Sequence, residues 1–236
     1  PDLNVITEYN SGKVELRIRQ LQDEEFTPIY KLPVFVDIWV DGKKERHEIV
    51  ITGDRKDFVF ETGKKPDLVL FDAETYLPCQ VDYIQSTEEF IFQFYNAEKV
   101  LAWKDALEQL ESDIITDEAI RKVFKDALKD SFWKIRELAA AAFAEYPQDV
   151  ADFEEVNSAI RDLAENDPKS LVRAEALNTL SSLGTRNMDV IEKALQDSSY
   201  TVNATALYGY ANLGGENPIA KVEKFENSND LTMLLT

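Results

Sequence analysis

The spacing of apolar residues changes once along this chain, near Ser86, and that change constrains the fold more than any other feature. Before it, apolar and polar residues alternate with a period of two, which is typical of β-strands with one buried face. After it, apolar residues recur at intervals of three and four, which is typical of amphipathic helices. The sequence therefore predicts two domains, one of strands over residues 1–85 and one of helices over residues 86–236.

The strand region predicts an antiparallel β-sandwich. Residues 13–19 place Val14, Leu16 and Ile18 on one face and charged side chains on the other. Residues 34–40 are almost all apolar and rich in β-branched and aromatic side chains, which indicates a more central strand. About seven short strands separated by turns are typical of a sandwich. Further strands are predicted at residues 49–51, 57–61, 68–71 and 81–84, with turns at 10–12, 41–42, 52–54 and 62–63.

A short motif occurs three times in the helical region. In each copy an aspartate stands five residues before a β-branched residue, and an alanine follows that residue four positions later. Repetition of this kind predicts stacked helix pairs, as in HEAT-type repeats. The α+β fold class expected for the chain is thus a β-sandwich followed by an α-helical HEAT-like array. The three copies are Asp130, Ile135 and Ala139; Asp167, Val172 and Ala176; and Asp197, Val202 and Ala206.

The edges of the array are also marked in the sequence. A more divergent helix pair is predicted around residues 100–110, and another unit begins at Asn217-Pro218. The chain starts at Pro1 without a methionine and ends inside that last unit. We therefore expect an excised segment of a longer protein, truncated within the array. The aromatic residues at positions 90–95 are predicted to form the seam between the strands and the helices.

The inventory of reactive side chains is small. His47 is the one histidine and Cys79 the one cysteine. A catalytic zinc site usually takes three protein ligands, mostly histidines with a carboxylate, and a His-Glu-x-x-His helix is impossible here. The sequence predicts no catalytic, cofactor-binding or metal-binding residue. We expect His47 to be a partly buried sheet residue and Cys79 to be a small packed side chain.

The charge of the chain argues against two classes of partner. The formal net charge is −19, from 26 basic and 45 acidic residues. Nucleic-acid affinity comes largely from basic residues that neutralise phosphates, and anionic membrane surfaces likewise attract basic segments. No apolar stretch approaches the roughly 20 residues of a membrane span. Neither nucleic acid nor a membrane is therefore predicted as a partner.

Three segments of the strand region resemble a known family. Residues 12–22, reading GKVELRIRQLQ, end in the pair Gln20 and Gln22 and are followed by Pro28 and Pro33. This order is similar to the β-sandwich domain that follows the catalytic domain in aminopeptidase N-like zinc peptidases, the gluzincin aminopeptidases. There a Q-x-Q strand end leads to a P-x-x-x-x-P-h entry into the next strand. Residues 66–72 resemble a later strand of that domain, and residues 1–3 resemble the segment just after the catalytic domain.

The resemblance implies a function for a larger protein. In this family a helical C-terminal domain follows the sandwich, some bacterial members build it from HEAT-like repeats, and it closes over the active-site entrance. The chain would then be the non-catalytic C-terminal part of a zinc aminopeptidase. Its partners would be the N-terminal catalytic domain and, through that domain, peptide substrates. Zinc is implied for the catalytic domain alone, and no catalytic residue is carried over, because neither the zinc motif nor a Gly-x-Met-Glu-Asn loop occurs here.

Two arginines are candidates for the inner surface of such a domain. Arg136 and Arg173 occupy the same position in successive repeats, and we consider them possible cleft-facing residues. The alternative is that they form salt bridges between neighbouring helices, since arginine is well suited to buried ion pairs. At the level of function, the alternative is a non-enzymatic scaffold that binds protein partners on a concave face. An independent hydrolase is disfavoured by the small inventory of reactive side chains.

Overall fold

Seven β-strands lie in the part of the chain that the computed structural model describes, residues 2–218, and they form two sheets. The first sheet has the order β5-β2-β1-β7 and the second has the order β4-β3-β6. Neighbouring strands are antiparallel, except that β1 and β7 are parallel. The strands are β1 Asp2–Asn10, β2 Lys13–Gln20, β3 Leu32–Val40, β4 Lys43–Ile51, β5 Arg55–Glu61, β6 Leu68–Leu70 and β7 Gln80–Tyr83.

The interior of the sandwich is built from every second residue of its strands. In β2 the side chains of Val14, Leu16 and Ile18 are at most 1% exposed, as the period of two predicts. They share one apolar core with Val34 and Val36 of β3, which belongs to the other sheet. The two sheets therefore pack face to face, and the predicted sandwich is confirmed with one parallel strand pair that the sequence did not predict.

Two helices, α1 Thr87–Asn96 and α2 Val100–Leu110, pack on the outer face of the second sheet. The ring of Phe92 meets that of Trp39 edge to face, with 6.1 Å between centroids. The indole Nε1 of Trp103 donates to the carbonyl oxygen of Ala97 at 2.6 Å. Strand β3 is thus buried on both faces, which explains why residues 34–40 are almost continuously apolar. The predicted aromatic seam is found here, with Phe92 contacting the sheet.

The change from strands to helices falls at Ser86, but the compact units divide later. Ser86 begins α1 with a capping box, in which its hydroxyl accepts from the Glu89 amide and its own amide donates to the Glu89 carboxylate at 2.7 Å. The chain separates into a unit that ends at Leu110 and a unit that begins at Glu111. Helices α1 and α2 therefore belong with the sandwich, whereas the sequence predicted a helical domain from residue 86.

The second unit is built from helix pairs over the part that the structure describes, residues 111–218. Asp117 begins its first helix by accepting from the amides of Ala119 and Ile120, at 2.7 and 3.2 Å. Helices α4, α6 and α8 pack side by side, and the alanines of the motif are fully buried in them. The unit predicted at Asn217-Pro218, and with it the predicted truncation, falls mainly outside the described residues. The helices are α3 Glu118–Ala127, α4 Trp133–Ala142, α5 Phe153–Asn166, α6 Ser170–Ser182, α7 Met188–Ala194 and α8 Tyr200–Asn212.

Candidate functional site

Arg136 lies in the first turn of α4 and is paired with an aspartate of the next repeat. Its Nε and Nη2 atoms donate to the two carboxylate oxygens of Asp167, at 2.6 and 2.9 Å. Its Nη1 atom donates to the carbonyl oxygen of Asp130, in its own repeat, at 2.8 Å. The arginine side chain is 12% exposed and the aspartate side chain 3% exposed. One guanidinium group therefore joins two consecutive repeats through a bidentate ion pair and a carbonyl contact.

Arg173 makes the same contacts one repeat further along. Its Nε and Nη2 atoms donate to the carboxylate of Asp197, at 2.9 and 2.8 Å, and its Nη1 atom donates to the carbonyl oxygen of Asp167 at 2.9 Å. In the third copy Asn203 replaces the arginine, and its amide donates to the Asp197 carbonyl oxygen at 3.0 Å. We call Asp130, Arg136, Asp167, Arg173 and Asp197 the aspartate–arginine ladder.

Each aspartate of the ladder also fixes the turn that precedes an inner helix. The carboxylates of Asp130, Asp167 and Asp197 accept from the backbone amide two residues later, at 2.7 to 2.8 Å. An aspartate favours such a turn because its side chain can stand in for a backbone acceptor. All three carboxylates thus form the turn, and those of Asp167 and Asp197 also pair with the arginine of the preceding repeat, which together explain the repeated spacing of the motif.

The electrostatics of the ladder fit a structural ion pair. Hydrogen bonding to Asp167 raises the pKa of Arg136 above its usual value. Burial alone would raise the pKa of Asp197, but hydrogen bonds from Arg173 and the Ser199 amide outweigh burial and lower it. The guanidinium groups are therefore occupied within the array, as the salt-bridge alternative in the sequence analysis supposed. A cleft-facing role of Arg136 and Arg173 remains a prediction.

His47 and Cys79 are both residues of the first unit, on β4 and just before β7 respectively. His47 is half-buried on β4, with its ring 4.6 Å from the ring of Phe60, and it shares the phase of the buried Ile49 and Ile51. Cys79 is also half-buried, and burial raises the pKa of its thiol. A raised pKa disfavours the reactive thiolate. Both environments match what the sequence predicted for a sheet residue and a small packed thiol.

The paired glutamines that carry the family resemblance have a clear structural task. Gln20 is buried at the end of β2 and its amide donates to the carbonyl oxygens of Tyr30 and Gly53, at 2.8 and 2.9 Å. The side-chain oxygen Oε1 of Gln20 accepts from the side-chain amide of Gln22, which also donates to the Pro28 carbonyl oxygen. The two side chains therefore clamp the β2–β3 loop to the end of the sandwich.

Sequence reasoning missed a cluster of charges that joins β3, β4, the loop after β6 and the turn between α1 and α2. Arg46 on β4 donates from Nε and Nη2 to both carboxylate oxygens of Asp37 on β3, at 2.7 and 2.8 Å, and it also contacts Glu74. Glu74 in turn pairs with Lys99 at 2.6 Å. The available signal was Asp37 itself, a charged residue inside an apolar strand, since buried charges need a partner.

Within residues 2–218, no group of three or more histidine, cysteine, aspartate or glutamate side chains is placed to hold a metal ion. None of the helices in the same range has both the length and the apolar character needed to cross a membrane.

Comparisons with known proteins bear on the fold. The family model for HEAT repeats matches residues 120–211, which contain the ladder. A search of curated proteins finds no match. Among solved structures, the chain is similar to Legionella pneumophila aminopeptidase A in complex with aspartic acid, with a TM-score of 0.67 and 15% sequence identity. The similarity covers 99% of this chain and 34% of that one. The chain therefore has the fold of about a third of an aminopeptidase, a sandwich followed by HEAT repeats.

Proposed function

We propose that this chain is the non-catalytic C-terminal part of a larger zinc-dependent aminopeptidase. In this proposal the β-sandwich acts as a spacer, and the helical array forms a wall of the chamber that receives peptide substrates. Zinc and the catalytic groups belong to an N-terminal catalytic domain, which is the direct partner of this chain. Peptides reach the chain only through that partner.

The observation that carries the proposal is the similarity to one aminopeptidase chain over the sandwich and the array together. A match to either part alone would be weaker, because sandwiches and helical repeats each serve many functions. The glutamine clamp at Gln20 and Gln22 adds support, since it gives a structural reason for the motif that the chain shares with the family. The single histidine is consistent with metal ligands that lie elsewhere.

The array is suited to a wall because its repeats are cross-linked. Each arginine of the ladder joins two repeats through short hydrogen bonds, which limits the bending of one repeat against the next. Arg136 and Arg173 are each less than 15% exposed, so any direct contact with a peptide would use only the edge of the guanidinium group. Their main contribution in this proposal is to hold the shape of the wall.

A scaffold that binds protein partners is the second candidate. The match to HEAT repeats favours it, because repeat arrays commonly bind proteins on an extended surface. Tyr200 and Tyr208 of α8 are 50% and 57% exposed, and exposed aromatic residues are frequent in binding surfaces. The two candidates differ in whether a working catalytic domain accompanies this chain.

The first experiment assays the 236-residue chain itself. We expect no hydrolysis of aspartyl-, alanyl- or leucyl-anilide above the rate without protein, with or without added zinc. The aspartyl substrate is included because the similar structure contains aspartic acid. Zinc-dependent turnover by the chain alone, abolished by a chelator, would show that the assignment as a non-catalytic part is wrong.

The second experiment determines the complete reading frame and compares the whole protein with a version that lacks these 236 residues. We expect a His-Glu-x-x-His motif, zinc-dependent anilide hydrolysis, and a preference among peptides of different length that changes when the chain is removed. Eroded zinc ligands together with absent hydrolysis would favour the scaffold. An unchanged length preference would contradict the role as a wall.

A further inference from the structure

The first unit contains a pocket of about 320 Å³. It is lined by residues of β6, β7 and the segment between them, and by residues of α1 and α2. Its apolar wall includes Leu77, Val81 and Phe90. Small-molecule sites commonly measure about 300–1,000 Å³ and combine apolar walls with a few polar groups. The pocket therefore has the size of a site for a small ligand.

Two carboxylates give the pocket a negative charge. Asp72 and Asp105 are among its lining residues, and no lysine, arginine or histidine is. The oxygens of Asp72 accept from the amides of Tyr76 and Leu77, at 3.1 and 2.9 Å. Within residues 2–218 neither aspartate has a basic partner within ion-pair distance. An anionic ligand would be repelled here, whereas a cation would meet unneutralised charge.

Two buried aspartates elsewhere in the described chain are each neutralised by an arginine, unlike the half-buried Asp72 and the exposed Asp105. Asp37 is paired with Arg46, and Asp167 with Arg136, each through two hydrogen bonds. At Asp105, burial among protein atoms raises the carboxylate pKa even though the residue keeps solvent access. Burial likewise raises the pKa of Asp72. Lys104 acts on Asp105 only from a distance, because its ammonium group is paired with Glu108 at 2.5 Å, and no ion pair reaches either aspartate within the described residues.

The carboxylate of Asp105 is held in position before any ligand arrives. The buried side chain of Gln93 donates to it at 3.1 Å and to the carbonyl oxygen of Ala102 at 2.9 Å. Gln85 donates to the oxygen of Gln93 at 3.2 Å, which fixes the orientation of the amide. A group that is oriented in advance loses less entropy on binding. Gln93 is 0% exposed, so this support comes from the interior.

We propose that this pocket binds a small amphiphilic amine. Its ammonium group is bound by Asp105 and Asp72, and its short apolar part packs against Leu77, Val81 and Phe90. The inference is independent of the aminopeptidase proposal, because all of these residues lie in the first unit and none has a part in peptide hydrolysis there.

Cys79 allows a direct test, because it is the one cysteine of the chain and it lines this pocket. The rate of its alkylation by iodoacetamide, followed by intact mass, reports whether the pocket is occupied. Benzylammonium is the probe, and benzyl alcohol and benzoate are controls of the same shape with neutral and negative charge. We expect saturable protection by benzylammonium and none by the two controls at the same concentration.

Two substitutions test whether the charge of Asp105 is responsible for binding benzylammonium. Asp105→Asn removes the charge and keeps an oxygen that can accept from Gln93, so we expect it to weaken benzylammonium protection roughly tenfold or more, the scale of a charge-assisted hydrogen bond. Asp82→Asn is the matched control. Asp82 is an exposed residue of β7 that does not line the pocket, and its oxygen accepts from Asn4 at 2.9 Å. Loss of the Asp82 charge should leave the protection of Cys79 by benzylammonium unchanged.

The outcomes separate clearly. Equal protection by benzyl alcohol, no saturable protection by benzylammonium, or unchanged binding to Asp105→Asn would each overturn the proposal. If Asp105→Asn does not fold, as judged by circular dichroism, the ranking of the three probes on the unaltered chain decides. Calorimetric titration with benzylammonium supplies a second reading that does not depend on the thiol.

Discussion

In the helical unit Asp167 and Asp197 are each paired with an arginine that stands one repeat earlier. The aspartates of the sandwich unit differ from one another in their hydrogen-bond donors. Asp37 is paired across neighbouring strands, and Asp72 and Asp105 are bonded only by amide groups. Because the same aspartate–arginine pair recurs in successive repeats, it appears in the sequence as a regular spacing of these residues. The sandwich unit has no such repeat, and the partner of each charged residue is known only once the pairing of the strands is known.

The two arrangements differ in how they affect the stability of the native state. A carboxylate paired with an arginine stabilises the native state as long as both groups remain charged, and the loss of one partner leaves an uncompensated charge. A carboxylate without a cation is tolerated because amide donors and residual solvent share its charge. Removing charge should therefore destabilise the array at Asp167 or Asp197 and stabilise the sandwich unit at Asp105. The following predictions test that contrast.

The largest effect is expected at the centre of the ladder. Asp167→Ala removes the partner of Arg136 and the acceptor that fixes the Lys169 turn, so we expect the free energy of unfolding to fall by about 3–5 kcal/mol. Chemical denaturation followed by circular dichroism measures this change. Asp189→Ala is the control, because Asp189 also pairs with an arginine, Arg161, but its side chain is 66% exposed. Exposed pairs are worth about 0–1 kcal/mol, and equal losses in the two variants would refute the special role of the ladder.

The same substitution, aspartate to asparagine, is expected to have intermediate effects on stability whose signs differ between the two units. Asp197→Asn should lower the free energy of unfolding by about 1.5–3 kcal/mol at neutral pH, because a charged hydrogen-bonded pair with Arg173 is lost. Asp105→Asn should raise stability at neutral pH, because a carboxylate whose pKa is raised by burial is no longer charged there. Thermal melts at neutral pH give both signs directly.

The pH dependence of these two variants follows from linkage. The pKa of Asp197 is lowered in the native state, so its contribution is complete above the unfolded value of about 3.9 and is lost as pH falls through the native pKa. The deficit of Asp197→Asn should therefore shrink in strong acid. The pKa of Asp105 is raised in the native state, so the native state binds the proton at a higher pH than the unfolded state does. The stability advantage of Asp105→Asn should therefore shrink as pH falls through that raised pKa towards the unfolded value of about 3.9. Parallel pH profiles would contradict the contrast.

The smallest effect concerns turns, which both units need. Gly42 in the β3–β4 hairpin and Gly214 after α8 have φ angles of 70° and 76°, and a Cβ atom at either position would meet nothing within 4 Å. Gly42→Ala and Gly214→Ala should therefore each cost only the backbone strain, about 1–2 kcal/mol. Denaturant titration measures both. A much larger loss at either glycine would indicate a steric role that the open space around it does not suggest.

Much of the fold could be predicted because its signals are local. The alternation of Val14, Leu16 and Ile18 fixed the inward face of β2, and the motif of aspartate and alanine located three helix pairs. Strand β1 was missed because only Leu3 and Val5 are buried in it and its second half is polar. Strand β4 was predicted too short because its first four residues are charged, as is common in edge strands.

The sites were harder to predict because their partners are distant in sequence. The spacing located Arg136 and Arg173, but it could not show which aspartate each would meet, since that depends on how consecutive repeats stack. The same holds for Arg46 and Glu74, which come together only when the loop after β6 folds back over the sheet. Helices α1 and α2 show a helical period, but nothing local assigns them to the sandwich unit.

The parallel pairing of β1 with β7 has a consequence for how the chain acquires its structure. Leu3 lies beside Val81, so an interior strand of the first sheet waits for a neighbour that is synthesised almost eighty residues later. The helix pairs instead contact their immediate successors along the chain. Long-range pairing slows folding and local pairing speeds it. During synthesis one side of β1 would thus stay open until β7 has been made, so β1 would be completed later than the strands that follow it directly.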